Sequence, residues 1–350
     1  MADIFPSVAV VILNWNGRPF LEKFLPSVTA TDYPDLKIYV ADNASEDDSV
    51  KFVMDHYPQI NIIQNSGNFG FAGGYNEALK KVSADYYVLL NSDVEVDKDW
   101  ILPIIQLMNG NPVIGACQPK ILSYNQRNQF EYAGAAGGWM DRWGFSFCRG
   151  RIFDTMETDK GQYDHASKVF WASGAAFFIK ADLYRRAGGL DEYFFAHMEE
   201  IDLCWRLQRM GYQIWCCPQS VVYHVGGGSL AQGDPYKMFL NFRNNLIMMH
   251  KNLSGFERFS TLVIRFTLDG FAALRSIFKG YRSEVKIILK AHGAYYRWLF
   301  QKKKQHHSPN DIRLPVVKMK DLSGIYFHTV AWKYFAKGKQ AFSSLKIENK

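Results

Sequence analysis

The sequence predicts an α/β protein whose mostly parallel central sheet is covered by helices on both faces. Short apolar runs rich in Val, Ile, Leu and Tyr indicate four buried strands, at Val8–Leu13, Lys37–Ala41, Ile60–Gln64 and Tyr86–Leu90. Segments with apolar residues at helical spacing lie between them, at 18–28, 46–56 and 74–82. Alternating strands and helices are typical of this fold class. Ser45, followed by Asp48, is predicted to cap the second helix.

The second half of the chain is less regular. Residues 119–168 show no clear period and are predicted to form a loop-rich insertion. The patterns that follow indicate a strand at Ala175–Ile179, a helix at Glu199–Met210, a strand pair at Gln213–Cys217 and Val221–Tyr223, and helices from Tyr236 to about Phe300. We divide the chain into an α/β domain, residues 1–252, and a basic amphipathic helical C-terminal region, residues 253–350.

Composition excludes several classes of protein. A hydrophobic content of 48% in 350 residues supports a buried core and excludes a disordered chain. No uninterrupted apolar run approaches about 18 residues, and the start of the chain lacks the pattern of a signal peptide. We therefore expect a cytoplasmic protein. The five cysteines are odd in number and lack C-x-x-C spacing, which predicts reduced, buried thiols.

Positive charge is concentrated near the C-terminus. Residues 251–350 contain 20 Lys/Arg and 6 Asp/Glu, and a predicted helix there is apolar on one face, at Phe259, Leu262, Val263, Phe266, Gly270, Leu274, Ile277 and Phe278. Such a face commonly packs on the protein core. Combined with the Lys/Arg excess and the basic run at 302–307, it also fits peripheral binding to an anionic membrane. No nucleic-acid reading module is present, so we expect no nucleic-acid partner.

Polar residues follow each of the four predicted strands. They are Asn14–Gly17, Asp42–Ser45, Asn65–Asn76 and Asn91–Asp93. Each group could be an ordinary turn, because Asn, Asp, Ser and Gly are the usual turn residues. Ligands in such sheets bind at the carboxyl ends of the strands, so four groups in succession predict a binding site. The glycines at 70, 73 and 74 allow close backbone approach to a diphosphate or sugar, but no phosphate-loop or dinucleotide motif is present.

Two further groups carry acid–base or metal chemistry. Glu199, Glu200 and Asp202 lie at the start of a predicted helix. The helix dipole stabilises acidic side chains in the first turn of a helix. Neighbouring carboxylates also raise one another's pKa, which suits a general base. Asp93 at a strand end and His224 after another strand are candidate ligands for Mg²⁺ or Mn²⁺, although either could be structural.

These motifs resemble family 2 glycosyltransferases, the inverting nucleotide-sugar transferases with the GT-A fold, and in particular their rhamnosyltransferase-like and galactofuranosyltransferase-like branch. The resemblance runs from about Val8 to about Asn252. It rests on the segments Val10–Asn16, Asp42–Ser45, Asn68–Asn76, Leu89–Asp93, Gly174–Phe177, Gly188–Glu192, Glu199–Arg206 and His224 with its following glycines. It implies transfer of a sugar from a nucleoside-diphosphate donor to a saccharide or lipid-linked saccharide acceptor in cell-surface polysaccharide synthesis.

The resemblance also implies residue roles. Asn14 and Asp42 would contact the nucleotide base, Asn91 the ribose, and Asp93 with His224 a divalent cation on the donor diphosphate. The loop residues Asn68, Gly73 and Asn76 complete the predicted donor site. Glu200 takes the position of the catalytic base, with Glu199 as the rival.

This chain departs from the family pattern in two places. Asn91-Ser92-Asp93 replaces D-x-D and so removes one carboxylate, and the base is Glu rather than Asp. Two alternatives remain from sequence: a sugar nucleotidyltransferase, and a non-catalytic nucleotide- or glycan-binding adaptor. The first would normally need a Gly-rich basic loop near the first strand, and the second is favoured if the reduced triplet fails to hold a metal.

Overall fold

A computed structural model describes residues 5–226, 234–304 and 314–347, without the side chains of 302–304. The N-terminal part contains β1 (Val8–Asn14), α1 (Arg18–Thr29), β2 (Leu36–Asp42), α2 (Ser49–His56), β3 (Asn61–Gln64), α3 (Gly70–Leu79), β4 (Tyr86–Asn91), β5 (Val94–Val96), α4 (Ile101–Gly110) and β6 (Ile114–Ser123). The middle contains β7 (Gly138–Asp141), β8 (Ser146–Cys148), β9 (Arg151–Ile152), β10 (Thr155–Met156), β11 (Ser167–Val169), β12 (Ala176–Lys180), α5 (Ala181–Arg186), α6 (Glu199–Arg209) and β13 (Gln213–His224). The C-terminal part contains α7 (Pro235–Asn252), α8 (Gly255–Phe278), α9 (Arg282–Lys304), β14 (Ile325–Tyr326) and α10 (Val330–Phe335).

The central sheet has the strand order β11-β13-β6-β12-β4-β1-β2-β3, with β5 paired to β13. Strands β4, β1, β2 and β3 are parallel, whereas β12 is antiparallel to both of its neighbours. Along β1, Ala9 and Val11 belong to one hydrophobic core and Val8, Val10 and Ile12 to a second. The two cores lie on opposite faces because side chains alternate along a strand. The predicted α/β fold class is confirmed.

Strand register brings the predicted polar residues to one edge of the sheet. Asn14 at the end of β1 lies opposite Asp42 at the end of β2, and Leu13 lies opposite Asn91 on β4. Val94 on β5 pairs with His224 at the end of β13. The carboxyl ends of these strands therefore form one polar edge.

Three local predictions were wrong. Helix α3 begins at Gly70 rather than at Gly74, so most of the glycine-rich segment lies within the helix. The strand pair at 213–223 is the single strand β13, with an irregularity between Cys217 and Val221. Helix α2 begins at Ser49 after Asp48, so Ser45 is not its cap. The Ser45 hydroxyl instead donates to Asp42 Oδ1 at 2.5 Å. The Ser45 hydroxyl is therefore hydrogen-bonded to the carboxylate of Asp42 in the preceding turn, and it does not cap the helix.

The predicted loop-rich insertion contains most of a second sheet, with the order β10-β9-β8-β7-β14. Strand β14 comes from the C-terminal region and pairs in parallel with β7. Phe147 packs against Tyr326 and Phe342 behind this sheet. The C-terminal region is thus not only helical, because its last part completes a sheet of the α/β body. Strands of two to four residues are too short to show an alternating pattern.

Other composition-based expectations concern cysteines and membranes. All five cysteines are free and buried, as predicted. In the ranges 5–226, 234–304 and 314–347, no helix has both the length and the apolar character needed to cross a bilayer. The basic run at 302–307, apart from the helical backbone of 302–304, lies outside the described residues, as do Gly227 to Ser229.

A buried ionic network attaches α6 to α7. Asp202, which is fully buried, accepts hydrogen bonds from Arg206 Nε at 2.8 Å, Lys251 Nζ at 3.1 Å and Asn252 Nδ2 at 2.8 Å. Lys251 also donates to Asp191. Burial alone would raise the pKa of Asp202, but the charges of Lys251 and Arg206 outweigh it and hold the pKa below its usual value. The network fixes the helix that carries Glu199 and Glu200.

We expect Asp202→Asn to lower the free energy of unfolding by about 3–5 kcal/mol, because it leaves Lys251 and Arg206 without their shared buried carboxylate. Asp182→Asn, at an exposed i,i+4 pair with Arg186, is the matched control and should change it by less than about 0.5 kcal/mol. Urea unfolding measures both.

The pH dependence of unfolding gives the same interaction a second test. The pKa of Asp202 in the folded state lies below its unfolded-state value of 3.8. The contribution of Asp202 to the free energy of unfolding is therefore present above about pH 4 and is lost as the pH falls through the folded-state pKa. The Asp202→Asn variant should lack this pH-dependent part of the free energy of unfolding. Equal losses in the Asp202 and Asp182 variants would contradict the network.

Candidate active site

The ends of β1 and β2 are locked together by Asp42. Its buried carboxylate accepts hydrogen bonds from Asn14 Nδ2 at 3.1 Å and from the Ser45 amide at 3.0 Å. The backbone amide of Asn16 donates to Ser45 Oγ at 2.9 Å, and this bond joins the turn after β1 to the turn after β2. Asp42 therefore does form a capped turn. Its predicted contact with a nucleotide base, and that of Asn14, remain predictions.

Asn91, Asp93 and His224 form a second cluster at the same edge. His224 Nε2 lies 3.1 Å from Asp93 Oδ1 and 3.3 Å from Asn91 Nδ2. Asp93 and His224 are both about 4% exposed. The backbone amide of Val225 donates to the Asp93 carbonyl at 3.1 Å, so the strand pairing itself fixes the approach of the two side chains. The structure thus brings together the two predicted metal ligands and Asn91.

Glu131 completes this cluster and was missed by the sequence analysis. His224 Nδ1 lies 3.2 Å from Glu131 Oε2, on the opposite side of the ring from Asp93. Burial alone would lower the pKa of His224, but the charges of Asp93 and Glu131 outweigh it and raise the pKa to about 10. Glu131 follows β6 in the irregular stretch 119–168, where no motif marks it.

The Asp93–His224 pair has the chemistry of a divalent cation site. A carboxylate oxygen and an imidazole nitrogen 3.1 Å apart are donors that Mn²⁺ accepts once the imidazole has lost its Nε2 proton, and Mg²⁺ accepts the carboxylate. Among the described residues, no three His, Cys, Asp or Glu side chains form a closed metal cage. A cation here would therefore take its other ligands from water and from substrate oxygens, as Mg²⁺ commonly does. The carboxylate of Glu131 behind His224 is the usual outer partner of a metal-binding histidine.

The glycine-rich segment 68–76 makes hydrogen bonds with other parts of the protein. The amides of Phe71 and Ala72, at the start of α3, donate to the Phe195 carbonyl at 2.7 and 3.2 Å. Asn68 Oδ1 accepts from the Gly70 amide and from Asn43 Nδ2. The first amides of α3 are therefore paired within the protein, and they join α3 to the segment that precedes α6.

Gly73 and Asn76 also make internal contacts. Gly73 lies in the first turns of α3, where a Cβ would lie 2.8 Å from Phe69 Cβ, so the glycine permits Phe69 to pack closely against the helix. Asn76 Nδ2 donates to the Leu190 carbonyl and to Glu192, while its Oδ1 accepts from the Leu190 amide and the Tyr184 hydroxyl. These four bonds hold the segment after Gly189. They do not place Asn76 with Asn91 and Asp93, and its donor contact is still only a prediction.

Glu199 and Glu200 begin α6 after a strained turn. Phe195, His197 and Met198 all have positive φ, between 65° and 75°. Such angles cost energy in residues other than glycine and persist only where the surroundings hold them. Asn244 of α7, fully buried, supplies that hold: its Nδ2 lies within 3.0 Å of the carbonyl oxygens of Phe194, Ala196 and His197. The sequence analysis missed Asn244, which only the tertiary structure brings to this turn.

The two glutamates differ in environment. Burial and the charge of Glu200 raise the pKa of Glu199 well above its usual value, which favours the protonated form of Glu199. Burial raises the pKa of Glu200 to about 7. In the described part of the chain, neither Glu199 Oε2 nor Glu200 Oε2 has a hydrogen-bond partner. Glu200 is the more accessible carboxylate and is half ionised near neutral pH.

Two connections join the strand-end clusters to the glutamates. Asn43, next to Asp42, donates to the Gly70 carbonyl at 2.9 Å, and the following amide of Phe71 donates to Phe195. Lys237, in the first turn of α7, lies close enough to Glu131 and to His197 for its charge to interact with both. These contacts link the strand ends to the turn that precedes the acidic helix.

Comparison with known proteins agrees with these observations. The family model described as "Glycosyl transferase family 2" matches residues 9–176. An N-acetylglucosaminyl-diphospho-decaprenol L-rhamnosyltransferase of Mycobacterium tuberculosis is 25% identical over 293 residues, which cover 79% of this chain and 92% of that protein.

Solved structures share the fold. A mannosyltransferase from Pyrobaculum calidifontis, in complex with GDP-Man and Mn²⁺, superposes with a TM-score of 0.51 at 16% identity, covering 88% of this chain and 78% of that one. TarS 1–349 from S. aureus, in complex with UDP-GlcNAc, gives a TM-score of 0.56 at 13% identity, covering 83% and 80%. With the matched family and the relatives, this likeness confirms the GT-A fold, and the chain is a family 2 glycosyltransferase.

Proposed function

We propose that this protein is an inverting transferase that moves a sugar from a nucleoside-diphosphate donor to a hydroxyl of a saccharide acceptor in cell-surface polysaccharide synthesis. The observation that carries the proposal is Glu200, a half-buried carboxylate with a pKa of about 7 and an unpaired Oε2, together with the Asp93–His224 pair at the strand ends. A GDP-Man complex and a UDP-GlcNAc complex among the structural relatives support a nucleotide-sugar donor.

The proposed reaction is a single displacement. Glu200 removes the proton of the acceptor hydroxyl as that oxygen forms a bond to the anomeric carbon. The bond from the anomeric carbon to the diphosphate oxygen breaks on the opposite face, and the configuration inverts. Asp93 and His224 would hold Mg²⁺ or Mn²⁺, which would stabilise charge on the leaving diphosphate. Asn14 and Asp42 would bind the base and Asn91 the ribose.

The proposed acceptor is linked to a lipid. The Mycobacterium tuberculosis relative is named for a diphospho-decaprenol substrate, which supports an acceptor of that class. An enzyme that uses it works at a membrane surface, so we propose a cytoplasmic protein bound peripherally to the inner face of the plasma membrane.

A panel of nucleotide sugars tests the activity. Each donor is incubated with Mn²⁺, with and without a polyprenyl-diphosphate-linked saccharide, and the released nucleoside diphosphate is measured. We expect one donor to give acceptor-dependent release. Release of pyrophosphate instead would indicate a nucleotidyltransferase. Binding of a donor with no turnover in the presence of any acceptor would favour the non-catalytic nucleotide- or glycan-binding adaptor.

We expect Glu131→Gln to weaken Mn²⁺ affinity by about 10–100-fold, because the amide removes the negative charge that orients and polarises His224. At saturating Mn²⁺ the turnover number should approach that of the wild type. Titrating activity against Mn²⁺ measures both quantities. Glu157→Gln, at another carboxylate of the same insertion, is the control and should leave the Mn²⁺ curve unchanged. A lower turnover at all Mn²⁺ concentrations with unchanged affinity would exclude this positioning role.

A further inference from the structure

Helix α8 has its polar face inward and its apolar face outward. Four of its five buried residues are polar or charged, namely Thr261, Arg265, Asp269 and Ser276. The exposed residues along the other side include Phe256, Phe259, Val263, Leu274, Ile277 and Phe278, and Phe256 and Phe278 are more than 80% exposed. A surface helix normally shows the reverse arrangement. Of the predicted apolar stripe, only Leu262 and Phe266 pack on the protein core, and most of the stripe is exposed.

Buried polar bonds hold the helix in this orientation. Arg265 Nε donates to Asp269 Oδ1 at 2.9 Å, and His292 Nε2 of α9 lies 3.1 Å from Asp269 Oδ2. The Arg265 guanidinium also lies 4.2 Å from the centre of the Phe145 ring in the α/β body. Rotating the apolar stripe inward would separate Asp269 from His292 of α9 and move the Arg265 guanidinium away from the Phe145 ring.

Helix α9 extends the same surface. Leu289, Tyr296 and Phe300 are exposed on it. The rings of Phe266 on α8 and Tyr296 on α9 stack with centres 5.8 Å apart and planes at 4°, which joins the two helices. Helix α8 alone is about 36 Å long at 1.5 Å per residue. A continuous apolar surface of this extent marks a binding face.

The charges around this face select its partner. Residues 255–300 contain eight Lys/Arg and three Asp/Glu. All three acids bond within the protein: Glu257 to the Met319 amide, Asp269 to Arg265, and Glu284 to the Ser276 hydroxyl. Lys279, Lys286 and Arg297 are exposed. A second copy of the chain would bring like charge against like, whereas an anionic lipid surface complements both the aromatic stripe and the cations.

We infer that the α8–α9 surface, defined by Phe256 to Phe278 on α8 and Leu289 to Phe300 on α9, docks onto an anionic lipid membrane. The apolar side chains enter the interface between headgroups and acyl chains, and the lysine and arginine side chains contact lipid phosphates. The helices lie along the membrane and do not cross it.

This surface is connected to the candidate active site, a point that rests on the proposed function. Lys290 Nζ of α9 lies 5.3 Å from the centre of the Phe239 ring on α7. Phe239 stacks on Tyr236, and Tyr236 contacts Phe195 in the strained turn before Glu200. A series of side-chain contacts therefore connects the membrane face to the turn that precedes the proposed base.

Vesicle flotation of the full chain without donor tests the docking. We expect binding to vesicles of phosphatidylcholine mixed with phosphatidylglycerol, weaker binding at high salt, and little binding to phosphatidylcholine alone. The triple variant F256S/F259S/F278S should bind about a thousandfold more weakly, since each buried phenylalanine contributes about tenfold or more. The triple variant K279Q/K286Q/R297Q should bind the anionic vesicles about fivefold more weakly for each cation removed, with no change on phosphatidylcholine alone. Met54→Ser, at an exposed apolar residue of α2, is the control and should bind like the wild type.

Circular dichroism and sedimentation complete the test. The serine and glutamine variants should keep the wild-type helical spectrum, so that a loss of binding reports on the surface. Absence of flotation with any vesicle, or equal flotation of the triple phenylalanine variant, would overturn the proposal. So would a wild-type dimer that the phenylalanine changes dissociate, since a second copy would then cover the face. A failed transfer assay leaves this readout intact, because no donor is present.

Discussion

Glu200→Gln is expected to lower the turnover number by about 10²–10⁴-fold, the usual contribution of a general base, with little change in donor affinity. Gln has nearly the shape of Glu but cannot accept the acceptor's proton. The side chain lies on a helix fixed by the Asp202 network and after a turn fixed by Asn244, so the substitution should leave the fold intact. Turnover under saturating donor and acceptor, with donor affinity measured separately by titration, gives the two quantities.

Glu199→Gln is the matched control. Burial and the charge of Glu200 raise the pKa of Glu199 well above its usual value, which favours its protonated form, and an amide imitates that form in shape and charge. We expect a turnover within a few fold of the wild type. A near-wild-type rate in the Glu200 variant together with a large loss in the Glu199 variant would reverse the assignment.

The pH profile should separate the two residues as well. A base must be deprotonated to act, so the wild-type rate should rise with pH and level off above the Glu200 pKa of about 7. Glu199→Gln removes a neighbouring carboxyl but keeps the base, so it should retain this rise. The residual rate of Glu200→Gln should not show it.

Much of the fold and site follows from local sequence patterns. The buried strands β1, β2 and β4 were predicted within one residue at each end, because continuous apolar runs ending in Asn or Asp are unambiguous. Strand register then aligns Asn14 with Asp42 without further information. The pairing of Asp93 with His224 also agrees with the prediction, because each follows directly from a strand end.

What could not be predicted depends on tertiary contacts. Glu131 comes from an irregular segment, and only the fold brings it to His224. Asn244 lies within a helix where a buried polar residue has no pattern of its own, yet it holds the turn before Glu199. The orientation of α8 is a similar case: its two faces were evident from the sequence, but the buried Asp269–His292 contact decides which one faces the body.

Removal of the divalent cation should abolish most of the activity. Chelation of the wild type with EDTA should stop nucleoside diphosphate release, and added Mn²⁺ should restore it. Asp93→Ala should lower turnover by about a thousandfold at any Mn²⁺ concentration, since a cation contributes several kcal/mol of charge stabilisation and each 1.36 kcal/mol is a factor of ten. Titrations of activity against Mn²⁺ with and without EDTA measure these effects.

Glu95→Gln provides the control for Asp93→Ala. Glu95 lies on the neighbouring strand β5 and pairs with Arg127 at the surface, so its loss should not alter the response to Mn²⁺. The reduced Asn91-Ser92-Asp93 triplet makes the outcome decisive. With one strand-end carboxylate in place of two, Asp93 and His224 are the protein ligands proposed for the cation, and no second aspartate of the triplet can substitute. Full activity of the EDTA-treated wild type, or an Asp93 variant that still responds to Mn²⁺ like the wild type, would rule out this metal site and leave the charge of the departing diphosphate to cationic side chains such as Lys237.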